Sequence, residues 1–310
     1  MALFAVTGAA GFIGSHLVDT ILANGHQVRA LDDLSTGFRE NLDPRCDLHV
    51  SDVADPAALR SLMQGAAGCF HLAAIASVAR TNEDWIGGNR VNLGGTIRVL
   101  EAARDAGPIP LVYASSAAVY GNLGGTIARE DLLPRPVSAY GADKLASEAH
   151  AAAGWHVHGV PSFGLRFFNV YGPRQDPRSP YSGVISIFAR RVAEDLGIEI
   201  HGDGQQVRDF VHVSDVVRHM IAAMDHASTN QGAAVTNVCT GHRTSVLDLA
   251  RAIYGLANRP PDLRFAAPRS GDIRVSVGDP ALATGLLGCT AAVTLENGLA
   301  ALDYTNPARR

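Results

Sequence analysis

The sequence predicts an α/β protein: a doubly wound parallel sheet with a smaller mixed α/β lobe. Three observations lead there. Strand-like and helix-like runs alternate through the first 168 residues. The strand-like runs are apolar end to end, as in sheets covered on both faces. A glycine-rich turn, Gly8-Ala9-Ala10-Gly11-Phe12-Ile13-Gly14, joins the first strand to the first helix.

The elements follow in order. Leu3 to Thr7 reads as a strand and Gly14 to Asn24 as a helix closed by Gly25. Gln27 to Leu31 is the second strand, followed by a polar loop from Asp32 to Glu40. Asp47 to Val50 reads as the third strand, Pro56 to Met63 as a short helix, and Gly68 to Leu72 as the fourth strand. Gly88 to Ala106 has helical spacing, with Val91, Ile97 and Leu100 inward. Ile109 to Ala114 is the fifth strand, Tyr140 to Ala153 a helix, and Val157 to Phe168 a further strand. Then the texture changes. Tyr171 to Ser182 contains Pro173, Pro177 and Pro180 and reads as a loop over the carboxyl ends of the strands. Ile185 to Leu196 is helical, Ile198 to Asp203 a strand and turn, and Asp209 to Ala223 a strand and helix. Ala234 to Cys239 is strand-like and Ser245 to Tyr254 helical. Pro260 to Gly278 reads as irregular, and the tail from Asp279 as two short helices.

Bulk properties exclude several function classes. With 47% apolar and 18% charged residues the chain can bury a large core, and a net charge of -4 leaves no footprint for nucleic acid or an anionic membrane. Cys46, Cys69, Cys239 and Cys289 lie far apart and read as buried thiols in a reducing compartment. Met1-Ala2-Leu3-Phe4 lacks a basic leader, and no apolar run reaches about 18 residues, so a cytoplasmic protein without a membrane span is expected. The twelve histidines form no close metal grouping; His71 and His212 read as core or supporting residues.

The first fifty residues carry the strongest chemistry. Gly8 permits a tight turn, Gly11 lets backbone approach a pyrophosphate, and Gly14 lets helix pack on strand. The helix start offers free N–H groups to the same anion. Asp32 falls where a carboxylate takes the adenosine ribose hydroxyls, and it would repel a 2'-phosphate, so NAD is favoured over NADP. Asp52-Val53 then falls near the adenine, with a helix cap before Pro56 as the plainer role for Asp52. The division expected is 1–168 for an NAD domain, rejoined by segments around 207–240, with 169–206 and 241–310 mainly a substrate lobe.

A second constellation is Tyr140-Gly141-Ala142-Asp143-Lys144. Tyr and Lys four apart share one helix face. An ammonium beside a phenol favours phenolate, lowering its pKa from about 10 toward neutrality. Ser115-Ser116 follows the fifth strand, so Ser116 can hold a reacting hydroxyl while Tyr140 takes its proton.

With these residues the chain resembles the extended short-chain dehydrogenase/reductases, and within them the nucleotide-sugar 4-epimerases. The marks are Thr7 to Gly14, Asp32 to Gly37, Ser115 to Gly121, Tyr140 to Lys144, Arg166 to Arg174, Gly202 to Val213 and Arg269 to Asp272. The resemblance implies a Rossmann-type fold and assigns catalysis to Ser116, Tyr140 and Lys144. It implies an NAD site from Gly8, Gly11, Phe12, Ile13, Gly14, Asp32, Asp33, Ser35, Thr36 and Gly37. Asp52, Val53, Leu72, Ala73, Ala74, Asn92, Tyr140 and Lys144 complete that site. Asn92 is read either as the asparagine behind the nicotinamide pocket or as a buried amide bonded to backbone. For a UDP-sugar the resemblance implies Ser116, Asn169, Arg208, Arg269, Asp272 and Ser276, with Arg208 and Arg269 gripping diphosphate and nucleoside.

The implied reaction is reversible C4 epimerisation of a UDP-hexose through a transient 4-keto sugar. Ala117 and Ala118 stand where the related 4,6-dehydratases carry an acid pair, which argues against dehydration. Ser276 matches a gate position whose small side chain leaves room for an N-acetyl group. Arg174 and Arg178 keep a C6 carboxylate, and hence uronate epimerisation, open. The same residues would also serve an NAD-dependent nucleotide-sugar oxidoreductase or, outside the enzymes, a catalytically silent NAD-sensing or scaffold protein. A homodimer through the helices near 88–106 and 140–153 is expected by analogy.

Overall fold

The computed structural model describes residues 1–177, 183–268 and 271–302. Seven parallel strands form its main sheet. We label the first six β1 (Leu3–Thr7), β2 (Gln27–Asp32), β3 (Asp47–Val50), β4 (Gly68–His71), β5 (Leu111–Ser116) and β6 (Ser162–Phe167). The seventh, Ala233–Val238, pairs with β6 at the edge. The spatial order is β3-β2-β1-β4-β5-β6 and then the edge strand. The order reverses between β1 and β4, and that switch point opens the crevice where α/β sheets bind ligands.

Successive strand residues supply opposite faces, which is why the strands read as unbroken apolar runs. Val6, Val28, Phe70 and Val112 pack beneath helices Phe12–Ala23 and Val213–Thr229. Ala5, Leu31, Cys69 and Leu111 face helices Pro56–Met63, Gly95–Asp105 and Ala139–His158. A separate core, with Phe188, Ile198, Ile200, Leu249 and Ile253, holds the second lobe.

Several elements differ from the sequence expectation. The strand expected from Val157 is helix through His158, because the Ala139–His158 helix stops only where Gly159 enters the left-handed region at φ 68°. Gly88 to Ala106 is not one α-helix. Val78–Glu83 and Trp85–Asn89 precede a π-helical turn, Arg90–Gly94, and only then comes Gly95–Asp105. The segment expected to be irregular contains two strands. Leu263–Ala266 pairs with Ile198–His201, and Val275–Ser276 with Val207–Arg208. Asn169–Tyr171 leaves the main sheet and pairs with Phe210–His212. No helix among the described residues is long and apolar enough to cross a membrane.

Candidate active site

The crevice at the switch point is closed around glycine. Gly8 sits at φ 68°, and a Cβ there would lie 2.6 Å from the Ala73 amide nitrogen and 2.7 Å from the Leu72 carbonyl carbon. The turn after β1 therefore touches the end of β4 backbone to backbone. A Cβ on Gly14 would overlap the Gly8 carbonyl oxygen and lie 2.8 Å from the Ala9 Cα, so the helix can start this close only with glycine. Gly11 caps the helix without a side-chain hydrogen bond, which leaves the amides of the first turn for a ligand.

Asp32 ends β2, 6% exposed. Its carboxylate accepts from the Ala10 amide (2.9 Å) and the Leu34 amide (2.9 Å), so it ties the glycine turn to the loop that follows β2. Burial raises its pKa, and those two amides oppose the shift. Asp33 caps the next turn by accepting from the amide and hydroxyl of Ser35; Thr36 is exposed and Gly37 is packed against Ala10. Asp52 turns its own loop by accepting from the Ala54 amide and pairs with Arg90 at 2.8 Å; the helix cap before Pro56 is Asp55 instead. Val53 packs beside Gly95.

Beneath the crevice the polar groups are satisfied in a chain. Thr7 Oγ1 and His71 Nδ1 share a hydrogen bond of 2.7 Å, and His71 Nε2 meets Thr96 Oγ1 at 3.0 Å. Burial pushes His71 down to about 3, so the ring is neutral. Thr96 donates to the Asn92 carbonyl. The Asn92 amide, in the π-turn, accepts from the Ile75 amide at 2.8 Å and donates to the Ile75 carbonyl at 3.2 Å. Asn92 thus clamps the segment that continues from Ala73 and Ala74.

The second constellation assembles at the end of β5. Ser138 caps the helix that carries Tyr140. Tyr140 lies half-buried, with its phenol close enough to Ser116 for the serine to act on its titration. Burial raises the phenol pKa and Ser116 opposes the rise. The phenol is thus raised rather than lowered, and Lys144 is not among the groups that shift it. Lys144 Nζ lies 5.7 Å from the centre of the Tyr140 ring and donates to the Ala114 carbonyl at 2.9 Å. Lys144 is the only lysine in the sequence. Burial lowers it to about 8, with the neighbouring Asp143 pulling the other way. The Ser116 hydroxyl also accepts from the Ala118 amide, so a short turn over Ala117–Tyr120 begins at the site.

The second lobe faces this centre across the crevice. Arg208 donates to Asp272 (2.5 Å) and to the Ile273 carbonyl (2.7 Å), which fixes its fork. Ser276 pairs with Arg208 in the strand register. Ser276 lines a small cavity together with Ala117, Tyr120 and Phe168, against the turn that Ser116 starts. Asn169 directly follows β6 and Phe168. Arg269 and Arg178 lie outside the described residues. Arg174 pairs through Nη2 with Asp19 on the first helix at 2.7 Å, while its buried Nη1 has no hydrogen-bond partner.

The chain is similar to known proteins in sequence and in fold. The NAD dependent epimerase/dehydratase family matches residues 4–239. A UDP-glucose 4-epimerase of Mycolicibacterium smegmatis is 40% identical over 303 residues, covering 95% of each chain. The chain belongs to the NAD dependent epimerase/dehydratase family. Among solved structures, the UDP-glucose 4-epimerase of Thermotoga maritima with UDP-glucose superposes with a TM-score of 0.92 at 34% identity, covering 97% of each chain. The Thermus thermophilus UDP-glucose 4-epimerase, in complex with NAD, gives 0.88 at 36% identity, again over 97% of each.

For a member of this family, sequence reasoning misses one concave surface. A cavity of about 540 Å³ is lined by His201, Asp203, Gln206, Phe265, Asp272 and Arg274, among others, and adjoins the Arg208–Asp272 pair. The strand Leu263–Ala266 brings Phe265 there, and four residues in a Pro-rich segment carry too short a pattern to reveal it. Asp209 is a second anchor that the sequence does not disclose. It is fully buried and accepts from the Thr240 amide and hydroxyl and from the amides of Gly241 and Gly278.

Proposed function

We propose that the protein catalyses reversible C4 epimerisation of a UDP-hexose, with NAD as a bound and regenerated cofactor. The observation that carries this reading is the convergence of Tyr140, Ser116 and Lys144 at the carboxyl end of β5, beside the glycine crevice. The uncapped helix start, the Asp32 carboxylate and the lone ammonium of Lys144 fit a dinucleotide. When bound, NAD supplies a reversible hydride acceptor at the sugar C4.

The chain's own residues handle the proton and the substrate. Tyr140 Oη removes and returns the proton of the sugar 4-hydroxyl, and Ser116 Oγ orients that hydroxyl. Lys144 Nζ holds positive charge below the phenol and the ribose. Asn169, Arg208 and Arg269, with Asp272 aligning Arg208, hold the nucleotide diphosphate while the hexose turns over to present its other face. The cavity beside Arg208, floored by Phe265, suits the nucleoside. In this reading residues 1–168 and segments around 207–240 hold NAD, while 169–206 and 241–310 hold the sugar nucleotide. Ala117 and Ala118 offer no acid or base for dehydration. The unpartnered Nη1 of Arg174 keeps a uronate as the second reading, and the small Ser276 side chain is the feature that favours an N-acetyl group at the sugar C2 substituent. A homodimer through Gly95–Asp105 and Ala139–His158 belongs to the same reading; Val157 on the second helix is 71% exposed.

The test is incubation of the purified protein with UDP-glucose, UDP-GlcNAc and UDP-glucuronate, separately and without added cofactor, with 4-epimers resolved by chromatography. Tyr140→Phe is expected to lose at least about a hundredfold in turnover while retaining NAD. Net NADH formation, or unchanged turnover in Tyr140→Phe, contradicts the reading.

A further inference from the structure

The helix that carries Tyr140 and Lys144 continues its stripe one turn further, to Glu148, at i, i+4 and i+8 on one face. Each of the three side chains meets the end of β5. Tyr140 neighbours Ser116, Lys144 bonds the Ala114 carbonyl, and Glu148 Oε1 accepts from Ser115 Oγ at 2.5 Å. Glu148 is buried and takes a bidentate pair from Arg166, Nε at 2.9 Å and Nη2 at 2.7 Å. Arg166 lies beside Ser115 in the β5–β6 register. Its remaining arm donates to Tyr120 Oη at 2.9 Å, with the guanidinium 4.8 Å from that ring. Tyr120 ends the short turn that Ser116 starts. The residue before Ser116 and the residue four after it are therefore both fastened to one ion pair.

We propose that Glu148 and Arg166 form a positioning pair for the reaction, holding Ser115 and Tyr120 so that the Ser116 hydroxyl between them meets Tyr140 and the substrate. Stability alone is a poor account of such a pair, since buried ion pairs are often matched or exceeded by apolar residues of the same volume. Geometry is the better account: both charges are bonded on several sides, and every bond ends on an element that frames Ser116. The network continues outward. Tyr120 donates to Asn237 at 2.7 Å, and Asn237 donates to the Ala128 carbonyl at 3.0 Å, while Ala128 bonds Val277 beside Ser276. The frame of Ser116 is thereby joined to the second lobe.

The proposal rests on the epimerase reading, and steady-state kinetics of the holoenzyme test it. Ser115→Ala cuts the tie to the strand while leaving the ion pair whole. The double variant Glu148→Gln/Arg166→Met removes the pair without stranding a charge. The expected result is a fall in kcat of about tenfold for Ser115→Ala and about a hundredfold for the double variant, with KM within about twofold, because a small misplacement costs chemistry rather than binding. Bound NAD should stay at the wild-type level, and Ser115→Thr, which keeps the hydroxyl, should recover most of the lost kcat. A Ser115→Ala enzyme within about twofold of wild-type kcat overturns the proposal. So does a loss of kcat matched by an equal loss of bound NAD, or a Ser115→Thr enzyme no better than Ser115→Ala. A wild-type protein inert on UDP-glucose and UDP-GlcNAc would instead sink the epimerase reading itself.

Discussion

Lys144 carries a cost that can be measured. The residue is 3% exposed, and burial lowers its pKa from 10.5 to about 8 against the opposing pull of Asp143. The unfolded chain keeps that proton to the ordinary lysine value. Between about pH 8 and pH 10.5 the unfolded state therefore binds more protons than the folded one, and stability rises with pH across that window. Below about pH 8 the full penalty stands. At about 1.4 kcal/mol per pKa unit the whole window is worth about 3 kcal/mol, and a step from about pH 7 to about pH 10 recovers roughly 2 kcal/mol of it. The perturbation is Lys144→Met, which removes the titration. It also removes the bond to the Ala114 carbonyl, whose dependence on the lysine charge is already contained in the folded-state pKa, so the change with pH still reads the titration. Urea unfolding of the nucleotide-free proteins should show the wild type gaining about 2 kcal/mol on Lys144→Met between those pH values. Because the sequence holds one lysine, labelling with 13Cε-lysine gives a single resonance whose midpoint should fall near 8 rather than above about 10. A midpoint above about 10, or a stability difference that does not change with pH, refutes the reasoning.

Two further predictions concern the crevice and the gate. Gly8→Ala puts a Cβ 2.6 Å from the Ala73 nitrogen at φ 68°, so a loss of at least about 2 kcal/mol in stability is expected, with loss of retained NAD, read by denaturant melts and cofactor absorbance. Ser276→Tyr should push a ring from beside Ala117 and Phe168 into the hexose site, since the cavity there is too small to hold it. Turnover of UDP-GlcNAc should drop by about tenfold or more while UDP-glucose is spared, and equal losses on both substrates would remove Ser276 from the gate role.

The parts of the site that lie within one element are legible in the sequence, and the parts made by crossing elements are not. Tyr140 and Lys144 share a face because they are four apart on a helix, and Gly8, Gly11 and Gly14 declare a turn that only glycine fits. That much is local. The target of Lys144, the Ala114 carbonyl, depends on where β5 runs beneath the helix, which no spacing reveals. Asp32 is legible as a carboxylate at the crevice, but its service to the Ala10 and Leu34 amides is a tertiary fact. Short strands carry no usable period: Val275–Ser276 has two residues, yet it sets Ser276 beside Arg208. The helix that runs to His158 does leave a signal in Gly159, a left-handed stop, though Val157 and Gly154 weaken the pattern before it. Glu148 and Arg166 show the same division most clearly. Each reads alone as an ordinary charged residue, one on a helix and one in an apolar strand. Only the β5–β6 register, which sets Arg166 beside Ser115, turns them into a buried pair on either side of which the site serine is fastened. A charged residue inside an otherwise apolar strand is the one sequence feature that foretells such a pair, because the fold must supply it with a partner.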